Sequence, residues 1–158
     1  PPKKGKSHGL RVIREMIYHR AKDRDTDIAF ALEHIQRVLK RKSIIFLISD
    51  FWDVSFQQAM KLINKKHDLI NIQILDKSEF SMPKVGFIKI HDAESQFSSW
   101  IDTNNRNVQS AITTQIKYNN NNFYAFCKKH KIDLISINTA HGYLQPLEQF
   151  FNNRMQRH

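Results

Sequence analysis

The sequence predicts one three-layer α/β domain with a mostly parallel sheet, and three observations carry the prediction. Three short runs, Ile44 to Ile48, Leu69 to Leu75 and Ile132 to Ile137, are dominated by β-branched and other apolar residues. Their uniformity suits strands covered on both faces, as in a parallel sheet. The segments around them carry apolar residues at helical spacing, the alternation of strand and helix that builds such sheets. One stretch, VGFIKIHDAESQFSSWID, breaks that rhythm and has the pattern of an inserted antiparallel hairpin.

Taken in order, Leu10, Ile13 and Ile17, joined by Val12 and Met16, predict a helix from about Ser7 to Arg20. A polar loop, AKDRDTD, follows. A second helix starts at Thr26 or Asp27 and runs to about Lys40, with Ile28, Ala31, Leu32, Ile35, Val38 and Leu39 on one stripe. The strand at Ile44 to Ile48 comes next and, being apolar throughout, is expected at the centre of the sheet. Ser55 can cap a third helix that carries Phe56, Ala59, Met60 and Ile63. Leu69 to Leu75 ends at Asp76, and the hairpin turns at Asp92 to Ser95. A long helix is expected from Arg106 to Lys129, with Asn119 to Asn122 as a weak, solvent-facing stretch. After Ile132 to Ile137, a last amphipathic helix uses Tyr143, Leu147, Phe150, Phe151 and Met155.

At 158 residues the chain has the size of one domain with a real core. No apolar run approaches the roughly 20 residues that span a bilayer, and PPKKGKSH lacks the apolar core of a signal peptide. The single cysteine, Cys127, rules out an internal disulfide or a multi-cysteine zinc site and fits a reducing, cytoplasmic setting. A formal charge of +10 would attract nucleic acid, acidic lipid or an acidic protein surface. The basic groups are local: Lys3, Lys4 and Lys6; Lys40 to Lys42; Lys128, Lys129 and Lys131; Arg154 and Arg157. The plainer alternative is a solvated surface with lysines opposing helix dipoles.

Loops at the carboxyl ends of parallel strands converge into a site. Here these are Asp50 to Asp53, Asp76 to Ser78 and Asn138 to His141, and the loop holding Asp25, Thr26 and Asp27 can reach the same edge. Their oxygen-rich side chains suit Mg²⁺ or another hard cation better than zinc. Equally, Asp76 and Asn138 can simply end strands, and Thr26 can cap a helix. Four scattered glycines form no phosphate loop or dinucleotide fingerprint, and there is no G-x-S-x-G elbow. Cys127 lies inside a predicted helix as a small core residue. The eight histidines show no metal-binding spacing.

PPKKGKSHGLRVIREMI, TDIAFALEHIQRVLKRKSIIFLISDFWD, KKHDLINIQILDKSE and IDLISINTAHGYLQPLEQFF run in a familiar order. It is the order seen in the bacterial "domain of unknown function 58" proteins, which the chain resembles along essentially its whole length. The resemblance implies a von Willebrand factor A-like, Rossmann-like domain working with a MoxR-type AAA+ ATPase in assembly, maturation or stress functions. It also implies a metal-ion-dependent adhesion site. Such a site takes an Asp-x-Ser-x-Ser motif after the first strand, a threonine from a later loop and an aspartate after the fourth strand. Thr26 matches that threonine and Asp50 that aspartate, with Asp27 and Asp53 as supporting oxygens.

The first motif is absent; Asp53-Val54-Ser55-Phe56-Gln57 imitates it after the wrong strand, and Asp25 stands where the family commonly has glycine. Residues 1–158 are therefore expected to be the C-terminal part of a von Willebrand A-like domain whose first strands are missing. A divalent cation is then expected in the full-length parent and not in this piece. The strand at Ile44 to Ile48 would have one open edge, a route to a homodimer. The leading expectation is a non-enzymatic protein-interaction module, with the parent either soluble or membrane-associated. A basic nucleic-acid-binding domain is the alternative, and a metal-dependent phosphohydrolase using Asp50 with Asp53 or Asp76 is third.

Overall fold

The computed structural model describes residues 4–19, 26–52, 55–76, 84–91 and 98–156. Helices are α1 (Lys6–Tyr18), α2 (Ile28–Val38), α3 (Gln57–Lys66), α4 (Arg106–His130) and α5 (Leu144–Met155). Strands are β1 (Ile44–Ser49), β2 (Asp68–Leu75), β3 (Phe87–His91), β4 (Ser98–Asp102) and β5 (Asp133–Asn138). β1, β2 and β5 form a parallel sheet in the order β1-β2-β5, with Ile44 opposite Asp68 and Ile70 opposite Asp133. The inserted hairpin is a separate antiparallel pair, β3 with β4. Its base is tied by Thr103, whose hydroxyl donates to the Gly86 carbonyl at 2.7 Å and accepts from the Val85 N–H at 3.0 Å. The expected turn at Asp92 to Ser95 lies outside the described residues, as do Arg20, Asp25, Asp53 and Ser78.

The sheet separates two apolar clusters. On one face Ile45 and Leu69 pack with Ile28 and Leu32 of α2, with Met60 and Ile63 of α3, and with Phe123, Phe126 and Cys127 of α4. On the other, Ile70, Ile72, Ile135 and Ile137 meet Leu147 and Phe150 of α5. Among the described residues, three helices thus cover one face and a single helix the other. Asp27 caps α2, its carboxylate accepting from the Phe30 N–H at 2.8 Å, so this role falls to Asp27 and not to Thr26. α3 starts at Gln57, with Phe56 and not Ser55 at the cap position. Lys131 ends α4 in the left-handed conformation, φ 54°, with its N–H on the Cys127 and Lys128 carbonyls.

The apolar run of β1 alone suggests a central strand, but an open edge is expected in this piece, and β1 has one: it pairs with β2 alone among the described strands. Ile44, Phe46 and Ile48 are 62%, 49% and 57% exposed on the α5 side, because α5 is too narrow to roof three strands. Apolar composition signals what a strand can bury and does not supply the element that buries it. For the same reason α1 forms with none of its residues buried, its stripe meeting no core. Finally, the asparagine run does not interrupt α4. Asn120 accepts from buried Gln73 of β2 at 2.9 Å, and Asn119 accepts from Gln115 at 3.0 Å.

Candidate functional site

The carboxyl edge of the parallel sheet gathers the oxygen-bearing residues. β1 ends at Ser49, and the chain then reverses sharply through Asp50 and Phe51. Phe51 takes φ 57°, a conformation uncommon for a bulky residue. Two groups hold it there. Its N–H donates to the Ser49 hydroxyl at 3.1 Å. Its buried ring stacks on Phe123 at 4.4 Å and meets the edge of Phe56 at 5.6 Å between centroids. The apolar anchor turns Asp50 outward: its exposed carboxylate accepts from the Ser49 hydroxyl at 3.2 Å. Trp52, also exposed, follows.

At the neighbouring strand ends, Asp76 and Thr139 are joined by a hydrogen bond of 2.8 Å from the threonine hydroxyl to the carboxylate. The Thr139 N–H donates to the Leu75 carbonyl at 3.0 Å, extending the ladder past the strands. Asn138 turns its side-chain oxygen to the Ala140 N–H at 2.9 Å, and His141 is exposed just beyond. Asp76 and Asn138 therefore do stop strands, and Asp76 has a local partner as well. Sequence reasoning placed both at this edge but gave no sign of the Asp76–Thr139 pair, which depends on the β2–β5 register.

Thr26 and Asp27 precede α2, whose far end leads into the start of β1, so they lie at the same edge as Asp50. Thr26 is exposed, and the Asp27 carboxylate is engaged as a helix cap. A hard divalent cation takes about six oxygen ligands. At this edge Asp50 and Thr26 offer one carboxylate and one hydroxyl. Among the described residues, no group of three or more His, Cys, Asp or Glu is placed to hold a metal ion. Asp50 and Thr26 carry the oxygen chemistry that such a cation takes. No helix of the described residues is long and apolar enough to cross a membrane.

Comparison with known proteins adds a family and no activity. The family model described as "Protein of unknown function DUF58" matches residues 1–122, which leaves β5 and α5 beyond the match. Uncharacterized proteins of Mycobacterium tuberculosis (strain H37Rv) and Mycobacterium bovis are each 30% identical over 99 residues, 60% of this chain and 31% of theirs. An uncharacterized protein of Mycobacterium avium is 29% identical over 70 residues, 44% of this chain and 41% of its own. The matched part thus spans about a third of the length of the curated relatives. No solved structure matches the chain.

Proposed function

The chain belongs to the DUF58 family, and from that premise we propose that it is a non-enzymatic docking module of von Willebrand factor A type. Its working surface is the carboxyl edge of the sheet, and its partner is a protein, a MoxR-type AAA+ ATPase. One observation carries this reading. Asp50 stands at the end of a parallel strand on a turn fixed by buried Phe51, with Ser49 and exposed Trp52 beside it. A carboxylate held outward by an apolar anchor, with one light hydrogen bond, is available to an incoming group. Catalysis generally needs several convergent groups, and Asp76 is already taken up by Thr139.

In the parent, a divalent cation would bridge Asp50 and Thr26 to a partner carboxylate, with Asp27 and Asp53 as supporting oxygens. In this chain the two direct donors alone bind such a cation weakly. The open edge of β1 offers a second copy of the chain a place to pair. Biolayer interferometry against the purified ATPase tests the reading. Binding should weaken at least tenfold in Asp50→Ala and Trp52→Ala, while Lys6→Ala on α1 leaves it unchanged. Equal binding by all three variants would remove the carboxyl edge from the interface. Calorimetry with Mg²⁺ or Mn²⁺ should show no micromolar site in this chain.

A further inference from the structure

Parallel pairing brings together basic groups that are far apart in sequence. Lys40, Arg41 and Lys42 lie between α2 and the start of β1; Lys65 and Lys66 end α3 just before β2; Lys128, Lys129 and Lys131 end α4 just before β5. The three strands start in register, Ile44 beside Asp68 and Ile70 beside Asp133, so all three connections occupy the amino edge, opposite Asp50. These eight side chains are all exposed. Asn64 of α3 ties two of the groups together, its amide donating to the His130 carbonyl at 3.4 Å and the Lys131 carbonyl at 3.5 Å. The imidazole of His130 reports the shared field. Partial desolvation, then the charges of Lys61 on α3 and Lys129 on α4, hold it below the ordinary histidine value.

We propose that this amino-edge pole is a binding surface for the phosphate backbone of duplex nucleic acid. The eight cations, with Lys61 and Arg154, face two carboxylates, Asp68 and Asp133, at the same edge. That leaves a surplus of eight charges. The C-termini of α2, α3, α4 and α5 point here, each carrying about half a negative charge, so about six positive charges survive. Neutralising helix dipoles therefore accounts for a minority of the lysines.

The chemistry favours a duplex over the other polyanions. Lysine ammonium groups are point charges suited to phosphates and carry no base-reading fork. A duplex presents about one phosphate per 1.7 Å of axis, the densest match for a compact pole. A bilayer holds a protein stably through cations and apolar groups together. Here the exposed apolar group of Ile44, Phe46 and Phe151 lies on the α5 side, whereas Lys65, Lys66, Lys128 and Lys129 end helices of the opposite face and Lys40, Arg41 and Lys42 lie in the connection before β1.

Fluorescence anisotropy with a labelled duplex of about 24 base pairs tests the assignment. With about five phosphates neutralised, affinity should fall roughly 500-fold between about 50 and 200 mM salt. Lys65→Glu, Lys66→Glu and Lys129→Glu together should cost at least about tenfold at low salt. A second variant, Lys40→Ser, Arg41→Ser and Lys42→Ser, lies outside the helices and should show the same loss if the first fails to fold. Lys4→Glu, Lys6→Glu and Arg14→Glu, an equal charge change around α1, should leave binding within threefold. The proposal is overturned if the α1 variant loses as much, or if affinity ignores salt. It is also overturned if vesicles with about one-third phosphatidylserine bind the chain and the duplex does not. Failure here leaves the carboxyl-edge reading intact, because Asp50 and Trp52 are unchanged in every variant.

Discussion

Replacing Arg154 by Gln should destabilise the fold by about 2–4 kcal/mol, and the structure says why. Arg154, in the last turn of α5, donates from Nη1 to Asp133 at 2.6 Å and from Nη2 to Asp68. One guanidinium thereby fastens α5 to the first residues of β2 and β5, and it also lies over the Phe150 ring at 5.8 Å. Its bond to Asp68 above all, opposed by partial desolvation, holds the guanidinium above its ordinary pKa. Charge-assisted hydrogen bonds contribute about 1.5–3 kcal/mol each. The three side chains are 24–31% exposed, so solvent screening puts each bond at the low end. Removing the cation also leaves two carboxylates facing each other across neighbouring strands, which adds repulsion. Urea denaturation followed by circular dichroism reads the difference, with the m-value unchanged if only the native state is affected. Arg154→Lys, which keeps the charge but loses the fork, should fall between wild type and Arg154→Gln. A loss under about 0.5 kcal/mol for Arg154→Gln, typical of an exposed ion pair, would refute the clamp.

Phe51→Gly should be less destabilising than Phe51→Ala by about 1 kcal/mol, although it removes more side chain. Both open the same aromatic cavity, but only alanine keeps a Cβ in the left-handed conformation. Thermal melting of the two variants checks the order. Asn71, fully buried in β2, donates only to the Met60 and Cys127 sulfurs, and its side-chain oxygen has no partner among the described residues. Asn71→Leu should therefore be neutral or stabilising by up to about 2 kcal/mol in chemical denaturation, since an unmet buried acceptor costs about 1–3 kcal/mol. The Cys127 thiol is pushed up to about 11 by burial, partly offset by its hydrogen bond with Asn71. At pH 8 it stays protonated in the native protein, so iodoacetamide labelling should be slow and should rise with unfolding by urea.

Much of this architecture is legible in the residues because its determinants are local. The three strands and five helices follow from apolar spacing, and Cys127 sits in the core as its helical position predicts. That a cap stands at Thr26 or Asp27 is readable from residue type and place, but which of the two takes the role is not. What escapes the sequence depends on which elements meet. The exposure of α1 depends on the absence of a described element across its stripe. LINIQIL reads as a strand, yet only the structure shows that Asn71 and Gln73 turn toward α4 and find Cys127 and Asn120 there. At the candidate site the residue types mark Asp50 and Asp76 as polar strand ends. The left-handed Phe51 carries no glycine to announce it, and its conformation is imposed by Phe56 and Phe123, of which Phe123 is distant in sequence.

The two ends of the sheet also differ in a way that helix electrostatics alone does not produce. In a parallel sheet the covering helices run antiparallel to the strands, so their positive N-termini lie at the carboxyl edge and their negative C-termini at the amino edge. Acids at the first edge and bases at the second are then expected in comparable, small numbers. Among the described residues of the carboxyl edge that expectation holds. Asp27 caps α2, Asp76 bonds Thr139, and Asp50 meets Ser49, so each of these acids has a local role. At the amino edge Arg154 is matched by carboxylates, and among the described residues about six positive charges stand beyond what the dipoles require. Like charges crowded at one end raise the energy of the compact state, so that excess does not stabilise the fold. Among the described residues the imbalance lies at the end of the sheet away from Asp50.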